Sequence, residues 1–126
     1  MNDLIKTEEI TENKLSVYFV AEEDGEVLGY GGMWRVVNEG HITNIAVKES
    51  ERRRGIGGRI LEEMERYAAE NEMIGLTLEV SVSNQAAQRL YSKHRFKPEG
   101  FRKRYYADTG EDAIIMWKYL RGENDR

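Results

Sequence analysis

The feature that most constrains this chain is the stretch RRRGIGG at residues 52–58, which separates an apolar run ending at Val47 from a long amphipathic segment. Glycines in such a stretch let the backbone approach a ligand closely, and the start of the next helix presents unpaired N–H groups. The arginines beside them add positive charge. The pattern predicts a strand, an anion-binding loop and a helix; the alternative interpretation is an ordinary turn with a solvated basic run.

Two common phosphate-binding loops do not fit this spacing. A nucleotide-triphosphatase loop has Lys and then Ser or Thr after its last glycine, whereas Gly58 is followed by Arg59. A dinucleotide-binding loop has a third glycine or alanine at the position that Ile60 occupies here. The remaining pattern, Arg-x-x-Gly-x-Gly, supplies no hydroxyl for a metal and no acid for a ribose.

Composition limits the class of protein. The 126 residues, of which 40% are hydrophobic and 33% charged, predict one globular domain over residues 1–126, with a short atypical segment at 1–14 and a frayed tail at 121–126. A net charge of −4 gives no support to a nucleic-acid partner. Cysteine is absent and histidine occurs twice, so we expect no thiol nucleophile and no metal. Without a membrane-length apolar run or a signal peptide, a cytoplasmic address without a membrane partner is expected.

The residue pattern predicts a mixed α/β (α+β) fold. Strands are predicted at residues 15–21, 26–34, 41–47, 76–82, 96–105 and 112–120, and helices at 56–71 and 85–94. We expect a hairpin turn at Asp24–Gly25 and a bulge near Asn44. The order strand, helix, strand, helix, strand requires right-handed crossovers and at least one parallel pair. Ligands of such a sheet bind where neighbouring crossovers diverge, which is where the Arg-Gly loop falls.

Glu79 is the first candidate catalytic residue. It lies within an otherwise apolar strand, where an ionised carboxylate is costly without a partner or water. Such a carboxylate suits a general base that acts through one ordered water. The alternative is a carboxylate on an exposed sheet face, or one bridged to an arginine.

Further candidates lie on the second predicted helix. Tyr91 shares its apolar face, so it either packs in the core or donates a proton to a departing thiolate. Asn84 either caps this helix or reaches a ligand amide. Four aromatic or imidazole side chains either line an acceptor pocket or pack between strands: Trp34, His41, Tyr105 and Tyr106.

The motifs resemble the GNAT superfamily of N-acetyltransferases. The resemblance rests on NIAV at 44–47, RRRGIG at 52–57, LEV at 78–80, SN at 83–84, LY at 90–91 and Phe96, in that order. The stretch Tyr105–Tyr106 with EDAIIM at 111–116 is similar to the RimI-type ribosomal-protein-alanine N-acetyltransferases. The likeness covers roughly residues 15–120 and implies the GNAT fold, a mixed central sheet with flanking helices.

This resemblance implies a role for each candidate residue. Acetyl-CoA would be the co-substrate, with no metal. Glu79 would take a proton from the acceptor amine through water, and Tyr91 would protonate the coenzyme A thiolate. Acetyl-CoA would be held by Ile45, Ala46, Val47, Arg52, Arg53, Arg54, Gly55, Ile56, Gly57, Gly58 and Asn84.

The same resemblance implies that the acceptor is a protein N-terminal amine, by analogy the alanine of a ribosomal protein. Two alternatives stay open at this point. The chain acetylates a small-molecule amine instead, or it is a non-catalytic coenzyme A-binding module.

The chain departs from the family pattern in three places. Members generally begin with a strand and one or two helices that wall the acceptor groove, whereas residues 1–14 leave room for one short helix at most. We therefore expect a shortened N-terminal strand/helix region, from truncation or because a partner subunit completes the groove. A missing edge strand would favour a homodimer. Arg95 stands where glycine is usual, and Ser81 where the RimI type commonly has arginine.

Overall fold

The computed structural model describes residues 3–11, 14–52 and 54–120. These residues form one seven-stranded sheet, two α-helices and a short 3-10 turn at Glu49–Glu51. The helices are α1 (Ile56–Glu70) and α2 (Gln85–Lys93). The strands are β1 (Asp3–Thr11), β2 (Lys14–Glu23), β3 (Glu26–Val36), β4 (Glu39–Val47), β5 (Gly75–Ser81), β6 (Lys97–Tyr106) and β7 (Glu111–Tyr119). The predicted tail at 121–126 lies outside the described residues.

The sheet is mixed, as the sequence predicts. Its order is β1-β2-β3-β4-β5-β7-β6, and only the β4–β5 pair is parallel among these strands. That pair is short: Glu39 to His41 pair with Gly75 to Thr77, and the two strands then diverge. The predicted bulge is present one residue from its expected place, since the β3–β4 register shifts around Thr43. Divergence of β4 from β5 opens the sheet at its centre.

The helix α1 covers one face of the sheet. The residues predicted to face the core are all buried: Ile60, Leu61, Met64, Tyr67 and Ala68. Burial of each large apolar side chain stabilises the fold by about 1.5–3 kcal/mol. A side chain at Gly31 of β3 would meet Met64 and Ile60 within 2.8 Å, so glycine is what allows α1 to lie this close. Neither described helix has the length and apolarity that a membrane crossing requires.

The opposite face of the sheet, called the open face below, carries neither α1 nor α2. Since Gly31 points at α1, its neighbours along β3, Tyr30 and Gly32, point away from the helix. Tyr18, Tyr30 and Trp34 of this face are 41–47% exposed. Right-handed crossovers from β4 to β5 and from β5 to β6 place α1 and α2 on the same side.

The prediction of at most one short helix before the first strand is wrong. Residues 3–11 form β1, which pairs with β2 along all nine positions from Asp3–Glu22 to Thr11–Lys14. The sequence rationale for a homodimer, a missing edge strand, fails for the same reason. The prediction that the N-terminal strand/helix region is shortened is confirmed. Only residues 12 and 13 separate β1 from β2, so no helix that could wall the acceptor groove fits between these two strands.

The helix α2 ends in a left-handed residue, Arg95, at the position where the family pattern has glycine. Arg95 has φ +72°. Its N–H donates to the Ser92 carbonyl at 3.0 Å, and the Phe96 N–H donates to the Tyr91 carbonyl at 2.9 Å. These two bonds define a Schellman motif, and the Tyr91 and Phe96 rings pack at 5.7 Å between centroids. The cap therefore helps to hold Tyr91 in place.

We expect Arg95→Gly to stabilise the protein. Arginine at positive φ carries strain of about 1–2 kcal/mol, of which glycine relieves most at some cost in unfolded-chain entropy. The free energy of unfolding should rise by about 1 kcal/mol, measured by urea denaturation. Arg89→Gly is the matched control: Arg89 is exposed within α2, so the same exchange there should destabilise by about 1 kcal/mol. Equal effects of the two substitutions would contradict strain at Arg95.

Candidate active site

A cleft of about 680 Å³ lies where β4 and β5 diverge, on the side that carries the helices. Its walls are the end of β4, the Arg-Gly loop and α2. Of the predicted acetyl-CoA-binding residues, the cleft is lined by Ile45, Ala46, Val47, Arg52, Gly55, Ile56, Gly57, Gly58 and Asn84. Among the strands that the structure describes, the β4 backbone that faces the gap pairs with β5 only as far as His41. An extended ligand therefore has open N–H and C=O groups to pair with.

The floor of the cleft is the N-terminus of α1. Gly55 caps the helix at φ +77°, a conformation that disfavours other residues, and no side chain caps the first turn. The first intrahelical bond runs from Arg59 N–H to Gly55 C=O at 3.0 Å, so the preceding amides have no partner within the helix. No acidic residue lies in the first turn. The helix dipole and these amides make this end of the cleft suitable for a phosphate.

The three arginines of the loop are not equivalent. Arg52 lines the cleft, and its Nε donates to the Val47 carbonyl at 3.4 Å. Arg54 instead pairs with Glu23 at 3.0 Å and Glu51 at 3.2 Å, and the bond to Glu23 raises the pKa of its guanidinium. Arg53 lies outside the described residues. Of the two loop arginines that the structure describes, Arg52 faces the cleft, whereas Arg54 ties the loop to β2.

Two adjacent glycines face different surroundings. A side-chain carbon at Gly57 would approach Leu90 at 3.4 Å and Val47 at 3.7 Å, both of which line the cleft. These are ordinary contact distances, so a small side chain fits there and a long one enters the cleft. At Gly58, the same carbon would lie 2.9 Å from Nε2 of His94, the residue that follows the last residue of α2. Gly57 therefore keeps the cleft open, whereas Gly58 lets α1 approach α2.

Asn84 and Tyr91 contribute the α2 side of the cleft. The Oδ1 atom of Asn84 accepts the Ala87 N–H at 3.1 Å, so the residue caps α2 as well as lining the cleft. Tyr91 is 8% exposed. Burial, with a smaller contribution from Tyr106, raises the pKa of Tyr91 to about 12. At neutral pH its hydroxyl is therefore protonated and able to donate.

A second pocket, of about 360 Å³, lies on the open face of the sheet, opposite the helices. Its lining unites the four aromatic and imidazole candidates with the candidate base and comprises Trp34, His41, Ile42, Thr43, Glu79, Tyr105 and Tyr106. Tyr105 and Tyr106 pack edge to face at 5.0 Å, and burial raises the pKa of Tyr106. The two pockets thus lie on opposite sides of the gap between β4 and β5.

Glu79 has a partner that sequence reasoning missed. Its side chain is 26% exposed, and its Oε1 lies 3.2 Å from Nε of Arg102 on β6. The basic run at 102–104 is visible in the sequence, but nothing local shows that β6 lies next to β7 and so within reach of β5. Beside this pair, His41 Nε2 contacts Glu39 Oε1 at 3.2 Å. The pocket therefore holds one carboxylate, Glu79, together with the His41 imidazole and three aromatic rings, a setting suited to proton transfer and to binding of an ammonium group.

No group of three or more His, Asp or Glu side chains in the described ranges has the arrangement of a metal site.

The sequence profile of the Acetyltransferase (GNAT) family matches residues 2–96. The chain belongs to this family. It is an acetyl-CoA-dependent N-acetyltransferase.

Known relatives narrow the resemblance to the RimI type. A Bacillus subtilis protein, named as a candidate alanine N-acetyltransferase of ribosomal protein bS18, is 44% identical over 109 residues, which are 86% of this chain and 72% of that protein. The ribosomal-protein-S18-alanine N-acetyltransferase of Escherichia coli has the same fold, with a TM-score of 0.76 and 32% identity over 90% of this chain and 75% of that one. A candidate streptothricin acetyltransferase of Bacillus anthracis, solved with acetyl coenzyme A, has a TM-score of 0.77 and 26% identity over 84% and 63% of the two chains.

Proposed function

We propose that this protein transfers the acetyl group of acetyl-CoA to the N-terminal α-amine of a protein, and that the acceptor is the N-terminal alanine of a ribosomal protein. The names of the relatives from Bacillus subtilis and Escherichia coli support this acceptor. The observation that carries the proposal is the two-sided site. A cleft suited to a phosphate-bearing donor and an aromatic pocket that contains the Glu79 carboxylate meet at one gap in the sheet.

The donor side of the proposal assigns the cleft to acetyl-CoA. The amides at the start of α1 and the guanidinium of Arg52 bind the pyrophosphate, by hydrogen bonds and by charge. Residues 45–47 pair with the pantetheine arm, and Asn84 offers its amide nitrogen, since its oxygen already caps α2. Arg53 and Arg54 stay predictions as donor-binding residues; the ion pairs of Arg54 favour a role in bracing the loop.

The acceptor side needs only modest activation. An α-amino group has an ordinary pKa of about 7.7–8.0, so a carboxylate that takes one proton is sufficient. Glu79 accepts this proton through a water molecule. To do so, its carboxylate exchanges the ion pair with Arg102 for the incoming ammonium group. A backbone N–H of β4 polarises the thioester carbonyl as the amine attacks. Tyr91 then donates its hydroxyl proton to the thiolate that leaves, and the acylated nitrogen gives up its remaining extra proton, which restores the Tyr91 hydroxyl.

We expect Tyr91→Phe to lower kcat about 100-fold while leaving the KM for acetyl-CoA within about twofold, because a general acid acts only as the thiolate departs. Tyr67→Phe is the matched control, since the Tyr67 hydroxyl is also lost from a buried ring but donates to Glu8, away from the cleft. Steady-state rates at saturating peptide measure both. An unchanged kcat in Tyr91→Phe would remove Tyr91 from the chemistry and leave it as packing.

The acceptor is tested by mass spectrometry after incubation with acetyl-CoA. A peptide with the N-terminus of ribosomal protein bS18 should gain one acetyl group at its α-amine. The same peptide with a blocked α-amine and an internal lysine should gain none. Faster acetylation of polyamines or free amino acids would favour a small-molecule acceptor, and binding of acetyl-CoA without turnover of any amine would favour a non-catalytic module. The cytoplasmic address, and the absence of nucleic-acid and membrane partners, stay predictions.

A further inference from the structure

The two edges of the sheet differ in how well they are protected. The strand β6 forms one edge; it contains Pro98 and its register with β7 shifts twice, between Pro98 and Gly100 and between Arg102 and Tyr106. The strand β1 forms the other edge and pairs with β2 over nine consecutive positions without a shift or a proline. A long, regular edge strand presents a row of backbone groups that another strand can pair with. Of the two edges in the described sheet, β1 is therefore the open one.

We propose that the occupant of this edge is a second copy of the chain, joined antiparallel through β1 about a two-fold axis at Thr7. In a continuous sheet, residues that pair across two strands project from the same face of the sheet. The even-numbered residues of β1 project from the same face as Lys6, so Lys6 can pair only with even-numbered residues of the second copy. The register centred on Thr7 places Lys6 opposite Glu8 twice and Leu4 opposite Ile10 twice. It also pairs the whole of β1.

Charge selects this register over its neighbours. Centring the pair one residue earlier sets Lys6 against Lys6, and one residue later sets Glu8 against Glu8. Like charges directly opposite each other destabilise a strand pair, whereas opposite charges stabilise it. The side chains of Lys6 and Glu8 are exposed and lie on the α1 side, where Lys6 Nζ is 4.9 Å from the Tyr67 ring centroid and Glu8 accepts the Tyr67 hydroxyl at 2.8 Å. Tyr67 thus orients both members of the complementary pair.

Apolar exposure agrees with the same arrangement. Ile10 is 77% exposed on this edge, whereas Leu4 is half-buried and packs against the core. Pairing of Ile10 with Leu4 of the second copy would cover both ends of the strand. A two-fold axis perpendicular to the sheet keeps faces matched, so both acceptor pockets would open on the same side of the dimer.

The oligomeric state and the register are tested together. Sedimentation velocity of the intact chain over a range of concentrations should show a monomer–dimer equilibrium. Lys6→Glu, which makes both Lys–Glu pairs repulsive, should raise the dissociation constant roughly tenfold or more, and Lys6→Glu/Glu8→Lys should restore it. Lys103→Glu, the same charge change on β6, should leave it unchanged. A wild-type chain that is monomeric throughout, or a folded Lys6→Glu that dimerises equally well, would overturn the proposal.

Because the chain contains no cysteine, a single introduced cysteine reports the register directly. Two Thr7→Cys side chains would face each other across the axis, with Cα atoms about 4.5–5.5 Å apart, a separation that a disulfide spans, and should form a disulfide-linked dimer under mild oxidation. Ile5→Cys, on the same face, would lie about 13 Å from its copy and should not cross-link. Equal cross-linking at both positions, or none at Thr7→Cys, would reject the register even if the charge variants failed to fold.

Discussion

Gly57→Glu should abolish acetyl-CoA binding without unfolding the protein. The new side chain starts at ordinary contact distance from Leu90 and Val47 and extends into the cleft, where its carboxylate repels the pyrophosphate. We expect the dissociation constant for acetyl-CoA, measured by isothermal titration calorimetry, to rise by about 100-fold or more. Circular dichroism and the melting temperature should stay close to those of the wild type.

Two controls distinguish the effect of changing position 57 from the effect of adding a carboxylate. Gly57→Ala adds only the first carbon, which the 3.4 Å contact accommodates, so binding should weaken far less. Gly100→Glu adds the same charge on β6, where the first side-chain carbon meets Ile115 at 3.5 Å, and should leave acetyl-CoA affinity unchanged. If Gly57→Glu retained its affinity, the Arg-Gly loop would not be the pyrophosphate site, and the donor half of the proposed function would fall.

Glu79→Gln should lower kcat by about 100-fold or more while acetyl-CoA affinity stays within about twofold. The substitution preserves shape but removes the proton acceptor, and Glu79 lies in the pocket on the other side of the gap from the donor. The rate at which a peptide with N-terminal alanine is acetylated at saturating substrate gives kcat, and isothermal titration calorimetry gives the affinity for acetyl-CoA. Loss of turnover should be greatest at low pH, where most of the acceptor amine is protonated.

Glu65→Gln is a close control for Glu79→Gln. Glu65 is also an ion-paired, largely buried carboxylate: its side chain is 20% exposed and pairs with Lys118 at 2.8 Å. It lies on α1, on the helix side of the sheet, and should therefore change stability but not kcat. Equal activity of Glu79→Gln and wild type at every pH would leave Glu79 as the structural partner of Arg102 and would remove the general base from the mechanism.

The local spacing of apolar residues was sufficient to predict most elements of the central fold. Helical spacing of apolar residues located α1 and its buried face, and the alternating apolar residues of 76–82 located β5. Arg95 stands where the family pattern has glycine, and it has the left-handed conformation that glycine favours. These features depend on neighbours within one or two turns of the chain, which a sequence displays directly.

Residues far apart in sequence decided the rest. The segment at 3–11 has no clean alternation, and only pairing with β2 makes it a strand. Which loop arginine faces the cleft depended on Glu23, which draws Arg54 away, and the partner of Glu79 depended on the order β5-β7-β6.

The sequence alone determined the chemistry available to this protein: an amide-rich, basic loop before a helix, a carboxylate within an apolar strand and a tyrosine on the following helix. The tertiary structure decided how these groups are arranged, because the early divergence of β4 from β5 is what opens one pocket on each side of the sheet. Such divergence results from the packing of whole strands and helices, and no short stretch of residues encodes it.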